Sequence, residues 1–555
     1  MRFRRLLALS RTALLASLSS VAILLSWTSS ATAQAPLHEQ VDALIEARMG
    51  GAASEPASDG EFLRRATLDL AGRIPTIEET RQFLADASPD KRAKRIEALL
   101  AAPEYADRMA DFLHVMLMER QGDAVEWRKY LHHSATANKP WDQMVREMIW
   151  SDPNQEASQG AAFFFTKRLE NYGQNPVDIP GMVRDVGRLF LGMDVQCAQC
   201  HDHLFVKDYT QDYYQGLFAF VGQAQIRRDV KTPALAETPL KKKVEFTSVF
   251  VQEPRTIGPK LPGGVELDVP EWKAGEEYLT PPDKKTNFPG ELKFSPLKLL
   301  AEKLPRRENP AFARNMANRL WWMLMGRGLV HPLDLHHSEN PPSHPELLEL
   351  LANEFAAHQF DMKWLIGQLA LTRTYQRSSR LPEGASPESV PETSYRTALE
   401  KPLSAEQILA SMRIATGQAQ AEAAAKPNDK AQQEELAKLR ERFAKAFANP
   451  PKEPETEFAP SVKAALFLMN DAVVLGWLQP RDGNLTARLA AIPDAQQTLE
   501  ELFLSVLSRP PAEDERQELL ELLQRPDSQG AEQRAAMLGR LAWALLASTE
   551  FAINH

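Results

Sequence analysis

Cys197, Cys200 and His201 lie in the run CAQCH and carry the clearest chemical spacing in the chain. Covalent attachment of a c-type haem needs two thiols to add across the porphyrin vinyls. It also needs an imidazole that can bind the iron. CxxCH supplies all three groups in one short stretch. These are the 2 cysteines of a 555-residue chain. Other chemistry fits the same residues. A Cys197–Cys200 disulfide is one alternative. A redox-active CxxC is another, although it ordinarily sits beside a βαβ pattern that is missing here. A zinc site using both cysteines with His201 and His203 is a third, strained by the short spacing.

A bound haem would draw a distal or neighbouring group from His203, His114, His132, His133 or a methionine. Met109 and Met116 fall on an apolar stripe and read as core. His114 lies off that stripe. Tyr209, Tyr213, Tyr214, Phe218 and Phe220 would wall a haem crevice or, equally well, form an ordinary packed helix face. Asp202, Asp208 and Asp212 lie nearby without EF-hand spacing.

A second polar cluster occupies HPLDLHHSENPPSHPE, from His331 to Glu346. His336, His337, Asp334 and Glu339 could hold a divalent metal or act as an acid and base. Turn and cap roles compete for these residues, and Ser343 reads as a helix cap. Arg314, Arg319 and Arg327 lie just upstream; arginines there would bind carboxylates or haem propionates, or simply face solvent. Gly326–Val330 is a tight turn and not a phosphate loop, since the following Lys-Ser/Thr is missing.

The elements that must position these groups are mostly helical. Tyr105, Met109, Phe112, Leu113, Met116 and Leu117 recur on one face. Thr76 followed by Glu79 is a capping box. Residues 181–193 predict a helix, packed through Val183, Val186, Leu189 and Phe190, that leads into Cys197. Between 223 and 295, Pro and Gly become frequent, and KKKVEFTSVFV and GVELDV alternate as strands do. Helix resumes from Asn309, with Phe312, Met316 and Leu320 on one face and Ser343 capping a later helix. The expectation is a mainly α fold. Multi-helical N- and C-terminal domains, 36–222 and 296–555, flank a small β-rich insert over 223–295, and an exposed Ala/Lys/Glu-rich segment with a break near Pro427 spans 417–460.

Residues 1–35 read as a signal peptide: four arginines, an apolar run and Ala33-Gln34-Ala35 as a cleavage pattern. The expected destination is the periplasm, the cell envelope or the exterior. No later stretch is apolar for long enough to span a bilayer. Taking four arginines from the 65 basic residues leaves 61 against 74 acidic ones, about −13. That balance argues against general nucleic-acid binding and says nothing against a basic partner such as another redox protein.

FLRRATLDLAGRIPTIEETRQFLAD, SPDKRAKRIEALLAAPEYADR, KPWDQMVREMI and VQCAQCHDHLF resemble the planctomycete cytochrome-like family called PSCyt, second type. NPAFARNMANRLWWMLMGRGLV, NPPSHPELLELLANEFAAHQFDMKWLIGQLALTRTYQRSS, LSRPPAEDERQELLELL and WALLASTEFAINH resemble its companion family, PSD. The resemblance implies a bacterial, planctomycete-like secreted or envelope protein built from domains of unknown function. It also implies that any redox partner is a separate protein. This chain departs from the family pattern in three places. Leu204 stands where the family has proline, the following tryptophan is missing, and PLDLHHSEN replaces a PVDDFR-like segment. The leading expectation is an exported c-type haem redox or electron-transfer protein. One alternative is a cell-envelope interaction protein with a Cys197–Cys200 disulfide and no cofactor. Another is a metal-dependent enzyme acting on extracellular or envelope material.

Overall fold

The structure is a computed structural model that describes residues 35–170, 177–424, 430–455, 462–525 and 530–555. The expected signal peptide (save Ala35), the break at Pro427 and part of the loop before 461 lie outside the described residues. The rest is dominated by helices, with strands only in short two-stranded pairs among the described residues.

Local chemistry explains the helix ends. Ser58 accepts from the Glu61 amide and opens Asp59–Ala71, which closes at Gly72 with φ 70°. Thr76 and Glu79 form the expected capping box of Ile77–Ala85. Pro103–Met118 buries Tyr105, Met109, Phe112, Leu113 and Leu117 along the anticipated stripe. Each such side chain contributes about 1.5–3 kcal/mol by leaving water. Ile179–Leu191, capped by Asp178, buries Val183, Val186, Leu189 and Phe190. Pro310–Met325 buries Phe312, Met316 and Leu320.

The insert forms three small hairpins. Ala224–Ile226 pairs with Leu235–Glu237, Val244–Phe246 with Arg255–Ile257, and Tyr278–Thr280 with Glu291–Leu292. GVELDV does not form the anticipated strand. Its groups bond locally instead: Glu266 accepts from the Gly258 amide at 2.8 Å, and the Leu267 amide donates to the Pro259 carbonyl at 2.9 Å. Helix also resumes earlier than Asn309, at Pro296–Lys303, with Ser295 as its cap. Ser343 is not the cap of Pro345–Ala357. His344 takes that position without a side-chain cap bond.

Two apolar cores form. The first runs from Leu37 to Tyr395, so Met316, Leu320 and Leu351 share it with Phe62 and Phe190. The second gathers Leu403, Leu409, Trp477, Leu502, Leu538 and Phe551 around Leu68 and Ile74. Past residue 400 the clustered buried apolar side chains belong to the second core. Asp59–Ala71 belongs to both cores. On it, buried Arg64 donates to the Val506 and Phe551 carbonyls, and Asp69 accepts from Lys401, Tyr375 and Asn554.

Candidate functional site

Gly192 ends the helix that leads to the CAQCH loop, at φ 70°. A Cβ there would sit 2.6 Å from His336 Cδ2, so the backbone approaches that ring as only glycine permits. The chain then turns inward and outward by residue. Val195 and Ala198 are fully buried, whereas Cys197 and Cys200 are free and exposed. Ala198 thus pins the loop to the core while both thiols point to solvent.

The two histidines that follow hold opposite tautomers. His201 Nδ1 lies 2.7 Å from the Asp202 carbonyl oxygen. A carbonyl only accepts, so Nδ1 carries a hydrogen, and in the neutral ring the lone pair is left on Nε2. Metal-ligating histidines are commonly oriented by such a bond. His203 is the reverse: its Nδ1 accepts from the amides of Phe205 and Val206 at 3.2 and 3.0 Å, which puts the hydrogen on Nε2. His203 therefore builds the loop, and as a neutral ring it has no lone pair left for iron.

Polar contacts fasten the loop on several sides. The Gln211 amide donates to Asp202 at 2.7 Å, and Gln215 donates to the Gln199 carbonyl at 3.1 Å. The insert supplies another fastening, because the Val249 amide donates to the Cys200 carbonyl at 3.0 Å. That contact brings the Phe250 ring within 4.9 Å of the His201 ring. Large apolar side chains stand exposed on this loop and on the insert segment that meets it. Phe205 is 81% exposed and Phe250 66%, accompanied by Leu204, Val249 and Val251.

Most of the aromatic run takes the ordinary packing role. Tyr209, Tyr214 and Phe220 are buried, and Tyr213 and Phe218 pack against the first core. His114 is buried and accepts from Trp127 Nε1 at 3.1 Å, between Pro103–Met118 and Val125–Thr136. Burial, aided by Arg128, pushes its pKa down to about 3, so it is a neutral core histidine. His132 is exposed beside Asp107, and His133 is also exposed.

The second polar cluster is taken apart by the fold. Asp334 accepts from Arg188 at 2.7 Å and from Arg319. Burial alone would raise its carboxyl, but the two guanidiniums hold it below the usual range. Arg188 also donates to Glu119 and Asp185, and Asp185 accepts from Arg168 as well. Three arginines and three carboxylates balance in this buried network, which locks Ile179–Leu191 to Pro310–Met325. Both carboxylate oxygens of Asp334 are thus engaged by guanidiniums. His336 packs beside Gly192 and Asn318, and burial, with Arg319 adding to it, pushes its pKa down to about 3. His337 meets the Tyr209 ring at 5.3 Å, and Glu339 is exposed. Among the described residues no three His, Cys, Asp or Glu side chains gather as a metal-holding group.

The pairing of Arg188 with Glu119 and Asp334 is silent in the sequence, because the fold joins charges 69 and 146 residues apart. Phe250 was read as part of a strand segment. Only tertiary packing brings it to His201.

No curated protein and no solved structure matches the chain. Two family models do. Residues 40–225, which hold the CAQCH loop, and residues 298–523, which hold Asp334 and His336, match separate models. The chain thus joins a PSCyt2 domain, described as a protein of unknown function (DUF1549), to a PSD1 domain, described as a protein of unknown function (DUF1553).

Proposed function

We propose that this is an exported c-type haem redox protein, with haem joined through Cys197 and Cys200 and His201 as its proximal ligand. The observation that carries the reading is the pairing of two exposed cysteines with a histidine whose Nδ1 is held by a carbonyl, beside exposed apolar side chains of the same loop and the insert. Haem bound there would supply one-electron chemistry. The chain's own part is mostly placement. Ala198 and the Val249 amide fix the loop, the Asp202 carbonyl fixes the His201 tautomer, and Phe205 and Phe250 offer apolar cover. The N-terminal arginines, apolar run and Ala33-Gln34-Ala35 support export.

The test is the mass and visible spectrum of protein made in a host with haem-attachment machinery. A mass gain of one haem and a Soret band, both lost in Cys197→Ala, are expected. An unmodified mass without a Soret band overturns the proposal. The same exposed apolar side chains favour a second reading, an envelope interaction protein. A mass short by two hydrogens, marking a Cys197–Cys200 disulfide, would move the assignment there.

A further inference from the structure

The remaining histidines of the second polar cluster turn toward a different place. His331 and His344 line a cavity of about 630 Å³, together with Arg48, Arg327 and Arg396. Four separate stretches of chain meet there: the end of the first helix, the turn after Met325, the residues before Pro345 and the loop from Ser389 to Arg396. Among the described residues that line it, none is acidic.

The arginines are held in ways that leave them usable. Arg396 donates to the carbonyls of Ala52 at 2.7 Å and Ser389 at 3.1 Å, contacts that orient a guanidinium without neutralising it. Arg48 pairs with Glu346 at 2.9 Å and Arg327 with Glu392 at 2.9 Å. Both carboxylates are more than half exposed, and exposed pairs of this kind are worth little and exchange readily. His344 adds an independent sign. It is 3% exposed, its Nδ1 lies 3.2 Å from the Ser343 hydroxyl, and its buried Nε2 has no hydrogen-bond partner. Buried polar atoms without a partner are rare and call for an explanation. Forked guanidiniums suit planar or tetrahedral oxyanions. The volume exceeds that of a bare inorganic ion and falls in the range of small-molecule sites.

We propose that this cavity binds a small anionic molecule, one carrying a carboxylate, sulfate or phosphate group, through Arg48, Arg327 and Arg396. The proposal does not depend on haem. The test is calorimetric titration of the full exported chain at low ionic strength with glucuronate, inorganic sulfate and inorganic phosphate, and with glucose as the neutral control. Saturable binding of at least one anion, and not of glucose, is expected, and the anion that binds identifies the group. Arg327→Gln and Arg396→Gln should each weaken binding about tenfold or more. Glu392→Gln, which releases Arg327, should tighten it, a change that a purely structural role for the pair would not produce. Circular dichroism confirms that each variant is folded, and Arg327→Gln serves if Arg396→Gln is not. The proposal is overturned if no anion binds at millimolar concentration, if glucose binds as well as glucuronate, or if folded arginine variants bind unchanged.

Discussion

The Val249 amide donates to the Cys200 carbonyl at 3.0 Å, so a hairpin of the insert is tied directly to the loop that carries both thiols. The tie also brings Phe250 to His201. The insert is therefore part of the candidate site and not a spacer between two helical regions.

The opposite tautomers of His201 and His203 separate their roles. His201→Ala is expected to alter the visible spectrum of haem-loaded protein, because it removes the lone pair at Nε2. His203→Ala should leave that spectrum in place and cost on the order of 1 kcal/mol, since two loop amides lose their acceptor. Spectra and urea midpoints of both variants check this. Equal spectral effects would refute the assignment.

Asp334 is expected to matter for stability and not for metal content. Asp334→Ala leaves Arg188 and Arg319 short of a buried counter-charge. Breaking such a network by one partner costs about 3–5 kcal/mol. Urea denaturation measures the loss, and a change under 1 kcal/mol would show that the network is slack.

Glu237 predicts a pH dependence. Burial raises its carboxyl to about 7, against donors from Ser295 and Leu297 that pull the other way. The folded state then holds this proton over a range where the unfolded state has released it. Its contribution to stability is full below the ordinary glutamate value near 4.5 and is lost as pH rises through about 7. Urea midpoints at acid and mildly alkaline pH should differ more in the parent than in Glu237→Gln. Identical slopes would count against the assignment.

Gly192→Ala tests the close approach beside the loop. The left-handed backbone alone costs about 1–2 kcal/mol for a non-glycine residue. The added Cβ must also displace His336, whose carbonyl accepts from Tyr209 at 3.0 Å. A lower melting temperature is expected. An unaltered melt would mean that the His336 segment shifts freely.

Local signals were legible where neighbours along the chain decide the outcome. The stripe from Tyr105 to Leu117 and the Thr76–Glu79 box are of this kind, and CAQCH was visible through spacing alone. Ser343 was misread as a cap because the helix begins one residue later, at a histidine that offers no cap bond. Asp334 looked like a ligand because acidic and histidine neighbours surround it in sequence. Its partners Arg188 and Arg319 come from other helices, and no periodicity announces a pairing 146 residues apart. The approach of Phe250 to His201 is hidden for the same reason, since 49 residues separate them.

Asp69 is bonded by Asn554, 485 residues away, as well as by Lys401. Arg64, one helical turn or so earlier, donates to the carbonyl of Phe551, 487 residues away. Contacts of such separation carry a loop-closure cost before they reward the chain, and they slow folding. Asp59–Ala71 is therefore a clasp: a helix whose local caps form at once but whose buried polar groups are satisfied only when distant stretches of chain have found it.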